Sequence, residues 1–520
     1  MQNLSIKIMK KINLILVPVI MMMAAGFVSA QNITNTLGTS GIFKIKDGST
    51  DFMSLSQSTG QVNILKTLRL EYSSGSSVGV IQFGAERFLH TYGGAANTFV
   101  GINSGNFSLT GLYNSAFGYS TLNSISSGYN NSAFGNMSLY ANTSGHDNSA
   151  FGFNSLATNI GGFRNSAFGN LSQSSNTFGF DNSAFGYRSL YANTTGNFNS
   201  AFGNFSLASN TGTQNSAFGY GSLYLNTTGI ENSAFGYYSL LNNTGSFSSA
   251  FGKSSLYSNT TGGYNSAFGN SALHYNTTGT QNCAFGNQSL YNTTTGAENC
   301  AFGNVSLYTN STGFENTAFG HYSLYNSTGN NNTALGNYAG SDITTGSNNI
   351  TIGNNAQVPN ATLSNQIRLG NIFITYAGIQ VAWTVTSDRN LKSNILSSNL
   401  GLGFITKLRP VSYTRKNDES GKTEYGLIAQ EVDEILQQEG AENTGMLTVT
   451  ESGEYQLRYN DLIAPMIKAI QELKQENEEL KTEIKSLKSV EERLVKLESI
   501  LNEQNNIKEV NSEIETVNNQ

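Results

Sequence analysis

Cysteine occurs twice in this 520-residue chain, tryptophan once, histidine four times and proline four times, and only 12% of residues are charged. Two cysteines exclude a disulfide-stapled scaffold. The histidines, His90, His146, His274 and His321, show no ligand spacing, so neither a metal nor a cofactor is expected. The formal net charge is −6 and the cations lie mostly towards the two ends, which leaves no basic face for nucleic acid. So little charge is foreign to a solvated disordered tail, and 55 glycines beside 4 prolines are foreign to an ordinary globular domain. Long apolar runs are also missing, apart from Leu14 to Val28. Lys7, Lys10 and Lys11 precede that run and Val28-Ser29-Ala30 closes it, which is the pattern of a secretory signal over residues 1–30. The mature chain is expected to start near Gln31 and to be secreted or held at the cell surface. No later segment is apolar enough to span a bilayer.

What is abundant is repetition. The aromatic of Asn-Ser-Ala-Phe-Gly recurs from Phe117 through Phe134, Phe151 and Phe168 to Phe319, at steps of seventeen residues and occasionally sixteen. Degenerate copies centred on Val100, Leu335, Ile352 and Leu369 extend the series to seventeen landmarks, as capping units should. Each unit holds two short apolar runs, such as Ser132-Ala133-Phe134 and Ser138-Leu139-Tyr140, parted by Gly and Asn that permit positive φ. Runs this short read as two strands and two turns of a parallel β-solenoid. At about 4.8 Å per coil, the rod is on the order of 80 Å long.

The apolar inventory points to more than one chain. About three large groups per coil, Phe134, Leu139 and Tyr140 in that unit, are thin cover for a two-sheet coil. Ala and Ser alternate with Phe, which leaves a face of small residues suited to neighbouring chains around a symmetry axis, so an obligate oligomer is expected. The units resemble the head repeats of trimeric autotransporter adhesins, although Phe usually replaces the Ile of that family and the Asn-Thr-Thr-Gly corner lengthens each unit. The resemblance implies a three-chain β-roll. It does not extend to a membrane-anchoring barrel.

Other features of the repeat read structurally. Its many Asn-x-Ser/Thr triplets are explained by corner chemistry rather than glycosylation. The threonines at Thr194, Thr227, Thr260 and Thr277 offer a hydroxyl ladder as an alternative surface for ice or glycans. Cys283 and Cys300 both take the serine place of the repeat, where a small residue suffices, and parallel Cβ directions would strain a bond between them. Asp147, Asp181, Glu231, Glu298 and Glu315 are scattered singly, so the paired carboxylates of a glycan-cleaving site are missing. Before the repeat, the stretches Gly41 to Lys46 and Val78 to Phe83 alternate like strands that cap the first coil.

After Leu369 the composition changes and charge returns from Asp388 onward. Ser387-Asp-Arg-Asn-Leu-Lys392-Ser-Asn-Ile395, Leu408-Arg-Pro-Val-Ser-Tyr413, Tyr425-Gly-Leu-Ile-Ala-Gln-Glu-Val432 and Leu457-Arg-Tyr-Asn-Asp-Leu-Ile-Ala-Pro465 follow one another. Together they resemble the peptidase S74 family, the C-terminal intramolecular chaperone of endosialidases and other phage tail spikes. That resemblance implies self-cleavage between Thr386 and Ser387, with Ser387 the nucleophile and Lys392 its base. On physical grounds alone, a serine needs a base, and a lysine serves only if burial keeps it neutral. The competing reading makes Ser387 an N-cap of a short helix through Ile395 and Lys392 a solvated residue. Trp383 is expected to be a packing anchor, and Glu431 and Asp433 to be surface or pairing residues of a helix over Leu427 to Leu436.

From Asp461 the chain reads as one long helix. Ile463, Ile470, Asn477 and Ile484 share one heptad position, while Met466, Leu473, Leu480 and Leu487 share the other, and Val490, Leu494, Leu497 and Leu501 continue after a skip. Ile with Leu leans towards two strands, but the roll and the chaperone resemblance favour three. The expected fold is therefore mainly β: an N-terminal β cap (31–96), a β-solenoid (97–372), a junction (373–386), a small α+β chaperone domain (387–460), a coiled coil (461–505) and a frayed tail (506–520). The expected function is a secreted homotrimeric fibre, adhesin-like, whose chaperone domain assembles it and then cuts itself once, in cis. A cell-surface or glycan ligand would be its partner. A glycan-degrading tail-spike-like protein and a prophage tail fibre are the alternatives.

Overall fold

The computed structural model describes residues 42–47, 50–56, 62–64 and 68–517, apart from positions 69, 77, 95, 417 and 443, so the signal lies outside the described residues. The chain divides into two units, split after Tyr72. In the first, β1 (Ile42–Asp47) pairs antiparallel with β2 (Thr50–Ser56), which pairs antiparallel with β3 (Val62–Ile64). The expected stretch Gly41 to Lys46 thus supplies β1 of this three-stranded sheet. The other expected stretch, Val78 to Phe83, supplies β4 (Ile81–Phe83), which pairs antiparallel with β5 (Glu86–His90), and β5 pairs antiparallel with the first coil strand, β6 (Thr98–Val100).

From β6 to β22 (Ile367–Leu369), seventeen three-residue strands stack in parallel, one on each landmark. Serine faces serine, alanine faces alanine and phenylalanine faces phenylalanine from coil to coil. The architecture is the expected mainly β parallel solenoid, but two expectations about its coils fail. Each coil has one strand, not two. The Ser-Leu-Tyr run turns: Leu139 has φ 49° and Leu190 φ 51°, a left-handed conformation no strand adopts. Coil-to-coil bonding persists through it all the same, with Leu139 N donating to Ser155 O at 3.0 Å and Ala141 N to Ala157 O at 2.9 Å.

The second failure concerns which side is inside. Alanine and leucine, for example Ala133 and Leu139, are fully buried, whereas the phenylalanines lie half-buried on the outer surface. In the first coil Phe99 takes the inward place that Ala116 takes in the next and is itself fully buried. At Gly135, φ is +126°, and a Cβ placed there would sit 2.5 Å from Gly152 O, which shows how closely successive coils approach. Thirteen outer rings, Phe117 to Phe319, stack with centroids 4.5–4.9 Å apart and planes within 10°. The face of small residues expected on the outside is the interior.

The remaining interior is polar and ordered. Asn131 Nδ2 donates to Gly145 O at 2.9 Å while its Oδ1 accepts from Asn148 N at 3.2 Å, and the same pattern recurs up the rod. A second ladder joins Asn142, Asn159 and Asn176 through Nδ2 to Oδ1 bonds of 2.8 Å. Buried amides bonded in this way satisfy main-chain groups that a hydrocarbon interior would strand. Asn142, Asn193, Asn226, Asn259, Asn276 and Asn310 of the Asn-x-Ser/Thr triplets have no exposed surface to carry a glycan. Thr260 and Thr277 donate their hydroxyls to Thr277 O and Thr294 O of the next coils, so that ladder is internally bonded. Cys283 and Cys300 are direct register partners and are free thiols, with the Cys283 thiol pushed up by burial and then by Cys300 beside it.

The C-terminal part holds a small core of Leu400, Phe404, Val432, Leu436, Met446 and Leu462. Its elements are α1 (Leu402–Ile405), the hairpin β23 (Val411–Tyr413) with β24 (Glu424–Gly426), α2 (Ala429–Gln438) and the hairpin β25 (Leu447–Val449) with β26 (Tyr455–Leu457). Then α3 (Ile463–Val517) runs for 55 residues. No glycine or proline follows Pro465 in it, so the helix passes the expected end at Asn505 and the tail to Val517 is helical. Among the described residues, no helix is long and apolar enough to cross a membrane.

Candidate functional site

The two residues singled out by the sequence lie on the segment that joins rod to core. Asp388 caps a single 3-10 turn, Arg389–Leu391: its side chain accepts from Asn390 N at 2.8 Å, and Lys392 N bonds Arg389 O at 3.1 Å. This turn swings Lys392 back towards Ser387, and Lys392 Nζ donates to Ser387 Oγ at 2.6 Å. The cap is therefore Asp388, not Ser387, and the expected helix through Ile395 is one turn long. An aspartate ahead of a turn is the signal that would have placed it.

Only a neutral lysine can take the serine's proton. Conversion to a base requires loss of solvent around the amine. In one chain both side chains are exposed, as is every residue from 372 to 399. That segment includes Ile374, Val381 at 77%, Trp383 at 74% and Leu396 at 86% exposure, so the expected anchor Trp383 is left largely uncovered by the described residues. Thr386, the residue before the nucleophile, is exposed with them.

The neighbouring core is held by charge pairs that the sequence left unassigned. Glu472 of α3 accepts from Leu402 N at 2.6 Å and pairs with Lys468 at 3.4 Å, which ties the long helix to the start of α1 and draws the Glu472 carboxyl down. Glu431, in the first turn of α2, is bonded to Arg409, with Nε to Oε2 at 3.0 Å, and both groups are stabilised in their charged forms by that pair. Asp433 accepts only from Gln437, at 3.2 Å. On the rod, Asp147 accepts from Asn130 of the preceding coil at 2.8 Å as well as from its chain neighbour His146, and Asp181 is bonded by Arg164 of the preceding coil at 2.8 Å, so these carboxylates brace neighbouring coils. A turn of the β25–β26 hairpin meets the last coils, where Glu451 N donates to Pro359 O at 3.1 Å and Glu451 accepts from Ala361 N at 3.3 Å.

Comparison with known proteins places this region. No curated protein and no solved structure matches the chain. Residues 387–441 match the peptidase S74 family, described as chaperone of endosialidase, and the match opens on Ser387. A β-solenoid precedes the matched stretch, Ser387 to Ala441, and a long helix follows it, so the likeness to the chaperone of endosialidase family covers the region that holds Ser387 and Lys392.

Proposed function

We propose that the chain is a secreted fibre that assembles as a homotrimer, and that its peptidase S74 domain guides assembly and then cuts the chain once, between Thr386 and Ser387. The observation that carries this reading is the 2.6 Å contact between Lys392 Nζ and Ser387 Oγ on a segment without cover. Ser387 Oγ attacks the Thr386 carbonyl carbon as Lys392 takes its proton. The C–N bond then breaks, the proton passes to the departing amine, and water hydrolyses the resulting ester.

Three uncovered apolar surfaces support the oligomer. They are the junction from Ile372 to Leu396, the seam of α3 that exposes Ile470, Leu480 and Leu487, and the outer column of phenyl rings. Thirteen successive coils, Phe117 to Phe319, present the same ring there, as a face that meets symmetry mates along its length requires. Closing three junctions together would strip water from Lys392, so cutting would follow assembly. The test is expression of the chain with its signal, followed on a denaturing gel beside Ser387→Ala and Lys392→Ala. Wild type should release a fragment from Ser387 to Gln520 and both variants should stay whole; an uncut wild type refutes self-cleavage. A monomeric native mass of the N-terminal product refutes the trimer.

A further inference from the structure

The phenyl column stacks flat and steep ring pairs occur at several other places on the rod, such as Phe180 with Phe198 and Tyr275 with Tyr291, but around Gly221 a run of such pairs lines one notch. Phe205 meets Tyr220 at 71° and Tyr224 at 68°, Tyr220 meets Tyr238 at 65°, and Tyr238 meets Tyr257 at 71°, with centroids 5.4–6.3 Å apart. The rings enclose a notch of about 380 Å³. Among the described residues, no charged side chain lines it.

Gly221 makes the space. Its place in the coil, three residues after the landmark, is left-handed in other units as well: φ is 50° at Ser120, 52° at Arg188, 61° at Phe205, 62° at Gly221, and 55° at both Tyr238 and Ser254. Other coils adopt this conformation with a side chain, so the backbone does not demand glycine at position 221. What glycine provides is room, because a Cβ there would meet the Tyr238 ring at 2.6 Å. Tyr238 lies flat over the missing side chain and the other rings stand around it.

We propose that this notch binds an organic cation of the quaternary ammonium class. Ring faces carry the negative part of the aromatic quadrupole, and several faces set at steep angles surround a compact cation that has no N–H to satisfy. An uncharged lining suits this ligand, since neither a counter-charge nor a hydrogen-bond donor is needed, and the acidic chain does not repel it. The variable residues at this face set it apart from the uniform phenyl column, which leaves it free when chains associate through that column. The site lies within one chain and stands whether or not the chain cuts itself.

The experiment is calorimetric titration of the full secreted chain with choline and with 3,3-dimethyl-1-butanol, its uncharged isostere. Choline should bind about tenfold or more tightly than the isostere. Gly221→Ser, which places at this position the residue of Ser254 and Ser271, should weaken choline about tenfold by displacing Tyr238, and Tyr220→Ser should do the same by removing a wall. No choline binding, equal binding of the two probes, or unchanged affinity in both variants overturns the proposal. So does methyl glucoside binding in place of choline.

Discussion

Replacing Asn182 by alanine removes four hydrogen bonds from the interior of the rod. Asn182 Nδ2 donates to Gly196 O at 2.9 Å and to Asn165 Oδ1 at 3.1 Å, while its Oδ1 accepts from Asn199 N at 3.0 Å and Asn199 Nδ2 at 3.2 Å. Three of the four partners keep another bond: Gly196 O from Asn193, Asn165 Oδ1 from Asn182 N, and Asn199 Nδ2 to Gly212 O. Asn199 N is stranded in a site closed to water. A buried orphan N–H costs about 1–3 kcal/mol, and the lost bonds and small void bring the total to about 3–4 kcal/mol. Because a solenoid is coupled only to its nearest neighbours, the loss should stay local. Amide hydrogen exchange in the coils flanking position 182 should accelerate by roughly 100- to 1,000-fold, with coils near Phe302 unchanged. Asn182→Ser should cost about half as much, since Ser248 fills the equivalent place here and its Oγ still accepts from Asn265 N at 3.3 Å. Acceleration below about tenfold in the alanine variant would refute the view that buried amides hold the coils together.

Further outcomes can be checked. Lys392→Arg should leave the chain uncut on a denaturing gel, because guanidinium does not give up its proton to become a base; a cut product would remove the lysine from the mechanism. His90 is buried between Phe99 and Phe107 with its Nε2 at 2.8 Å from Ser104 O, and burial drives its pKa down to about 4. The neutral ring therefore stabilises the cap fully above pH 6.5, and up to about 3 kcal/mol is lost as pH falls towards 4. Exchange of the Glu86–His90 strand should rise across that window, and His90→Gln should flatten the rise. Burial, with Glu451 nearby, raises Asp342 to about 6, so its neutral form favours the docked hairpin below pH 4 and that contribution fades as pH climbs through 6. Asp342→Asn should slow exchange at Glu451 above pH 6 and change little below pH 4; the opposite order would refute the assignment.

The ladder was legible because its seventeen landmarks are spaced by chain length alone, and each carries a strand. Its sidedness was not. Alternation in Ser-Ala-Phe states that Phe and Ala face opposite ways but leaves open which faces in, and hydropathy gives the wrong answer where Ala133 and Leu139 are the residues inside. The asparagines looked like corner residues, and their burial arises from how closely one coil lies on the next. At the candidate site, a spacing of five from Ser387 to Lys392 says nothing of contact by itself. The Asp388 cap and the turn after it bring the side chains together, and none of the described residues covers them.

The register of the stack has a consequence for how such a fibre can change. Deleting one of the seventeen-residue units between Phe117 and Phe202 brings alanine against alanine, phenylalanine against phenylalanine and asparagine against asparagine at the new joint, because those coils offer their neighbours the same partners. Each unit gained or lost moves the tip by about 4.8 Å and leaves the chemistry of the remaining surface intact. Reach is thus set by copy number, and a lineage can lengthen or shorten the fibre in fixed increments without redesigning a single contact.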